Sequence, residues 1–252
     1  MQDYLISRFN SFSLDTEGLT PMNLVERSKK DFLYTSGSDT LVVCLPGWGQ
    51  KISTWKKVKK EVVFKGSSFI VYEFPRPILT DKHRLTEECF RVINETVRSD
   101  IRRLKEEYGF RHCVLIGISL SSSFGSMVYK NNPDITEVIF IVPGKNLARD
   151  MWYGYRTQHL RKSYERQGIS LEQLENFWHD LATENNMPYL GTKMSLYFGK
   201  ADKIIPYKLG STLSSLFKRN NFNIVTKIFS FLGHYLIIFW FLLYPRRFVE
   251  NY

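Results

Sequence analysis

Cysteine is scarce in this chain: Cys44, Cys89 and Cys113 are the only three in 252 residues. An odd count without framework spacing excludes a disulfide-stapled secreted scaffold. Each thiol falls inside an apolar strand-like or helical pattern, so all three read as reduced and buried, in a cytoplasmic protein. Long hydrophobic runs are missing as well. The longest, Tyr235 to Tyr244, has ten residues, against the roughly 20 that a membrane-spanning helix needs. The stretch from Met1 to Phe12 lacks a basic start followed by an apolar core, so no secretory leader is expected there. Zinc-finger spacing, an RNP-like motif and a basic zipper are absent, as are internal repeats and low-complexity tracts.

A net charge of +10 is present, densest at Lys51, Lys56, Lys57, Lys59 and Lys60 and continued by Arg102, Arg103, Arg246 and Arg247. Without a nucleic-acid motif beside it, this charge reads as solvated helix faces, and no nucleic-acid partner is expected. Apolar content of 43% and charged content of 24% fit one large globular domain. The run Tyr235 to Tyr244, ended by Pro245 and followed by Arg246 and Arg247, poses a choice between an interfacial helix and a core helix. Apolar residues run all round it, which predicts burial and no stable membrane insertion. No pattern specifies an oligomeric state.

Strand-like and helix-like segments alternate. Leu41–Leu45, Phe69–Tyr72, Cys113–Ile116, Val138–Val142, Met194–Phe198 and Ile224–Phe229 are short apolar runs without polar alternation. Such runs fit strands buried on both faces of a parallel sheet. An amphipathic helix is predicted over Thr86–Tyr108, with Thr86 as its cap, Glu87 and Glu88 near its positive end and Gly109 as its stop. Residues before Thr40 are less regular and are expected to add an antiparallel edge hairpin. From Gly144 to Thr192 there is no strand signal, which predicts a helical insertion over the sheet.

Chemistry enters after the third of these strands. Gly117-Ile118-Ser119-Leu120-Ser121 joins that strand to a helix-like segment, Ser122–Tyr129. Small residues two before and two after a serine, in a strand–turn–helix context, are what a nucleophile elbow requires. A serine hydroxyl needs a base, and the base needs an orienting group. His234, after the last strand in Phe231-Leu232-Gly233-His234-Tyr235, is the candidate base, with Gly233 expected to let the loop turn. Asp202, just beyond the preceding strand, is the candidate acid. Leu45-Pro46-Gly47-Trp48-Gly49-Gln50 follows the first strand, and its glycines allow an inward-pointing amide. The backbone N–H groups of Trp48 and Leu120 are the candidate oxyanion donors.

These motifs resemble the α/β-hydrolase superfamily from about Leu41 to the end of the chain. Residues 46–49 are similar to the family's His-Gly-x-Gly oxyanion loop, Gly117 to Ser121 to its elbow, Asp202 to its acid and Gly233-His234 to its histidine loop. Pro46 replaces the usual His and Ser121 the second elbow Gly. The resemblance implies a mostly parallel sheet with helices on both faces. It also implies a core domain of residues 1–143 and 193–252 and a helical cap at 144–192. The activity it implies is a serine esterase or thioesterase acting on an apolar acyl group through an acyl-enzyme, with no cofactor and no metal. Gly47, Trp152, Tyr155 and Trp178 are the residues expected around that group. An acyltransferase using the same acyl-enzyme, or a non-catalytic binding protein on the same scaffold, are the alternatives.

Overall fold

The computed structural model describes residues 20–248, so the expectation about Met1 to Phe12 lies outside the described residues. Seven strands form one sheet: β1 (Lys29–Leu33), β2 (Thr40–Leu45), β3 (Ser68–Glu73), β4 (His112–Ile118), β5 (Glu137–Ile141), β6 (Lys193–Gly199) and β7 (Ile224–Phe229). Their spatial order is β1-β3-β2-β4-β5-β6-β7. Every pairing is parallel except β1 with β3. All six apolar runs are therefore strands. Among the described residues, the segment expected to form an edge hairpin holds one antiparallel edge strand. β2 has β3 and β4 on its two sides, so β1 pairs with β3. The Lys30 ammonium reaches both Asp100 carboxylate oxygens at 2.8 and 2.9 Å, and the Tyr72 hydroxyl donates to the same carboxylate at 3.0 Å.

The pleat sorts side chains to two faces. Leu41, Val43, Leu45, Cys113 and Leu115 join one buried cluster, while Val42, Cys44, Val114, Ile116 and Ile118 join the other. Helices α1 (Pro21–Arg27), α3 (His83–Tyr108), α4 (Ser121–Tyr129) and α9 (Thr212–Arg219) serve the first cluster, and α2 (Lys56–Phe64) and α10 (His234–Leu243) the second. Residues 144–192 hold α5 (Leu147–Tyr153), α6 (Gln158–Arg166) and α7 (Leu171–Phe177) with short 3-10 turns. A one-turn helix, α8 (Tyr207–Gly210), precedes α9. Leu147, Met151, Leu160, Tyr164 and Leu174 lie in the same cluster as the apolar faces of α3 and α4.

Helix α3 ends where expected, at Gly109 with φ 73°. Its start differs. Lys82 is the flanking residue, and Thr86 is buried inside the helix, where its hydroxyl accepts the Thr80 amide at 2.9 Å. The Thr80 hydroxyl in turn accepts the Lys82 amide at 3.0 Å, and this local turn moves the start one turn earlier.

Helix α10 corrects a second expectation. His234, Ile237, Ile238 and Phe241 are buried, but Tyr235, Leu236 and Phe239 on the other face are more than half exposed. The helix covers the second cluster beside α2, and it is not enclosed all round. No helix among the described residues is long and apolar enough to cross a membrane.

Candidate active site

Ser119 directly follows β4 and has φ 56°, a left-handed conformation that non-glycine residues rarely adopt and that holds the hydroxyl out of the sheet. The turn is fixed from several sides. The Ser119 amide donates to Ile141 O at 2.9 Å, and the Ser122 hydroxyl donates to Ser119 O at 2.8 Å while accepting the Gly144 amide at 3.1 Å. Gly117 must be small because a Cβ there would lie 2.9 Å from the Phe140 ring and 3.2 Å from Ser121 O. The Ser121 hydroxyl donates to Pro46 O, which ties the elbow to the loop after β2.

The three residues expected to form a relay are brought together. His234 Nε2 lies 2.9 Å from Ser119 Oγ, and His234 Nδ1 lies 2.7 Å from Asp202 Oδ2. The second Asp202 oxygen accepts the amides of Ile204 and Ile205 at 2.8 and 3.0 Å. Both oxygens are thus engaged and the carboxylate cannot rotate away. A carboxylate on Nδ1 fixes the tautomer that leaves Nε2 free to accept the serine proton. His234 and Asp202 are buried, and Ser119 is 9% exposed.

The histidine loop is placed differently from the expectation. Gly233 has φ −92° and ψ 176°, an extended conformation open to any residue. The glycine that the loop requires is Gly199 at the end of β6, where a Cβ would lie 2.3 Å from the Leu232 carbonyl oxygen. That close approach sets the loops of Asp202 and His234 side by side.

Trp48 and Leu120 both line the cavity at Ser119. Among the described residues, neither backbone amide donates to another protein group. Leu120 stands at the N-terminus of α4, where free amides point toward an incoming anion. The Gln50 side chain, not singled out by the sequence, accepts the Gly47 amide at 2.8 Å and braces the loop.

The cavity has a volume of about 110 Å³. Its walls near the serine are Gly47, Trp48, Leu79 and Leu120, and those beyond the histidine are Ile204, Ile205, Tyr235 and Ile238. From the insertion come Leu147, Asp150, Met151, Arg156 and Thr157. Of the four residues expected around the acyl group, only Gly47 lines it. Trp178 is buried against the Tyr164 ring and donates to His83 O at 3.0 Å. Trp152 is packed in the first cluster beneath the Arg161 guanidinium, and Tyr155 faces outward at 56% exposure. These three aromatics serve the packing and surface of the insertion.

Two polar residues of the wall carried no sequence signal. The Arg156 guanidinium lies 5.9 Å from the Trp48 ring centroid and donates to the Tyr235 hydroxyl at 2.6 Å, bridging two sides of the cavity. Asp150 is buried, and neither of its carboxyl oxygens has a hydrogen-bond partner. Burial pushes its pKa up to about 8, and the Glu184 and Asp202 charges add to the rise. The Asn146 amide, outside hydrogen-bond geometry, offsets this only in part. An acidic residue in the first turn of a helix is an ordinary placement, so nothing in the sequence sets Asp150 apart.

No family model matches the chain, and no curated protein matches it. Solved structures do. A thermophilic esterase from Thermogutta terrifontis with propionate bound aligns at a TM-score of 0.61 and 14% identity, over 89% of each chain. An acetyl ester-xyloside bifunctional hydrolase from Caldicellulosiruptor lactoaceticus aligns at 0.64 and 13% identity, over 96% of this chain and 91% of that one. An esterase from Pyrococcus furiosus aligns at 0.59 and 12% identity, over 93% and 91%. With likeness of this extent added to the strand order and the sites at successive strand ends, the chain has the α/β-hydrolase fold.

Proposed function

We propose that this protein is a serine esterase that hydrolyses carboxylic esters or thioesters of short, apolar acyl groups. The observation that carries this reading is the hydrogen-bonded line from Ser119 through His234 to Asp202, at 2.9 and 2.7 Å, opening on an apolar cavity. Ser119 Oγ attacks the carbonyl carbon as its proton passes to His234 Nε2. The developing oxyanion meets the Trp48 and Leu120 amides, each worth about 3 kcal/mol of barrier. His234 returns the proton to the leaving oxygen or sulfur, and the acyl group stays on Ser119. Water, deprotonated by the same imidazole, then releases the acid and restores the serine.

The cavity size supports a short chain. An engineered cavity of roughly 150 Å³ holds one benzene molecule, and this one is smaller, at about 110 Å³. In this reading residues 144–192 act as a cap on the core of 1–143 and 193–252. Its role is to supply the acyl-facing wall. The buried, unpaired thiols of Cys44, Cys89 and Cys113 support a reducing compartment such as the cytoplasm.

A fluorophosphonate probe tests the chemistry directly. Mass spectrometry is expected to find it on Ser119 in the native protein and on no residue of Ser119→Ala. A series of p-nitrophenyl esters tests the cavity, with acetate to butyrate turned over faster than octanoate. Native protein that neither takes the probe nor turns over any of these esters overturns the proposal.

A further inference from the structure

The exposed face of α10 departs from what a solvated helix shows. The buried positions His234, Ile237, Ile238 and Phe241 follow the spacing of one helical stripe. The complementary stripe is apolar too: Tyr235 and Leu236 are each 56% exposed and Phe239 59%. Phe231, just before the helix, is 92% exposed. The helix sequence HYLIIFWFLL has no Asp, Glu, Lys or Arg, and its His234 is buried in the relay. Contiguous apolar surface of this kind marks a docking site.

Charge identifies the occupant. Directly after α10 the sequence places Arg246, which pairs with Glu61, and Arg247. Cations also stand at both ends of α10. Arg156 holds the Tyr235 hydroxyl at the first turn. At the other end, the Arg247 guanidinium lies 5.6 Å from the Trp240 ring centroid and 5.5 Å from that of Tyr244, and Lys57 lies 5.2 Å from the Tyr244 ring. Aromatic rings with basic groups beside an apolar stripe match the boundary between headgroups and acyl chains. Phosphate headgroups complement this sign of charge. A second copy of the same face would bring like charges together.

We propose that the exposed face of α10, with Phe231, docks this protein on the surface of an anionic phospholipid bilayer, without a spanning segment. Tyr235 belongs both to this face and to the cavity wall, so docking turns the cavity mouth toward the lipid. Docking is independent of the esterase reading, because binding is measured without turnover.

The test is sedimentation of the full chain with sucrose-loaded vesicles of phosphatidylcholine mixed with phosphatidylserine, and with vesicles of phosphatidylcholine alone. The protein is expected to pellet with the anionic vesicles and to be released as salt shortens the screening length. The Leu236→Glu/Phe239→Glu variant is expected to lose at least about ten-fold in partitioning while hydrolysing a soluble ester normally. The charge variant Lys57→Gln/Arg247→Gln leaves the apolar face intact, and it is expected to lose several-fold on anionic vesicles only. Absence of sedimentation with either vesicle overturns the proposal. So does equal, salt-insensitive binding to both, or a wild-type dimer that Leu236→Glu/Phe239→Glu converts to a monomer.

Discussion

The Ser121 hydroxyl donates a hydrogen bond to the carbonyl oxygen of Pro46, across 75 residues of chain. These are the two positions at which the sequence departs from the family pattern it resembles, and they touch each other. The bond links the turn that carries Ser119 to the loop that carries Trp48, so it sets the spacing between the proposed nucleophile and one of the proposed oxyanion donors. Ser121→Ala leaves a buried carbonyl unpaired, at about 1–3 kcal/mol of stability. Urea unfolding is expected to show that loss, and ester kinetics to show a fall in kcat larger than any change in KM.

The Asp202 carboxylate makes three hydrogen bonds, one with His234 and two with backbone amides. Asp202→Asn preserves the shape but offers an amide where a carboxylate steadies the imidazolium that forms in the transition state. A loss of about 10³–10⁴-fold in kcat is expected, on the scale of the same change in a well-studied triad. Fluorophosphonate labelling should slow in parallel, since it uses the same relay.

Gly199→Ala probes the close approach of β6 to the histidine loop. The added methyl meets the Leu232 carbonyl oxygen at 2.3 Å, a backbone atom that yields only if the loop moves. Expected results are a destabilisation of about 1–3 kcal/mol and loss of most activity. Gly233→Ala is the informative control. Its backbone is extended and the added Cβ lies 3.2 Å from Ala201 O, so its effect is expected to be milder in both measurements.

Asp150 gives the protein a pH dependence of stability. Its folded-state pKa, raised by burial to about 8, lies above that of an unfolded chain, so the folded state holds this proton more tightly. The contribution is fully present below the ordinary aspartate range and is lost as pH rises toward 8 and through it. Thermal melts across that window should show a decline that Asp150→Asn flattens, with the variant the more stable of the two at pH 8.

The three thiols are expected to stay silent in the native state. Burial raises all of them, Cys89 to about 11 and Cys113 to about 12, so the reactive thiolate is suppressed. A disulfide reagent such as Ellman's should titrate none before unfolding and all three afterwards.

The legible part of this molecule is the part that repeats a simple physical rule. Runs such as Val42–Cys44 and Val114–Ile116 are buried on both faces, and an uninterrupted apolar run states that. Ser119, Asp202 and His234 could be found because each follows such a run. Illegible features depend on which segments meet in space. Thr86 had the right chemistry for a cap, but the hydroxyl of Thr80 organised the turn first. Trp152, Tyr155 and Trp178 had the right chemistry for a pocket, whereas Leu147, Met151 and Arg156 line it. The far side of α10 read as core because its composition is that of core, and composition alone does not reveal that nothing among the described residues covers it.

The cavity wall divides by origin. Ser119, Asp202 and His234 stand at the ends of β4, β6 and β7, held by a sheet that tolerates little change. Leu147, Asp150, Met151, Arg156 and Thr157 come from one short stretch of the insertion. In the proposed reading, the reaction is thus written in one passage of the chain and part of the preference in another, beside core residues such as Leu79, Ile204 and Ile238. Selection acting on the second can retune what the molecule accepts while the first is inherited intact, and a mutational library confined to residues 147–157 is the natural place to look for new specificities.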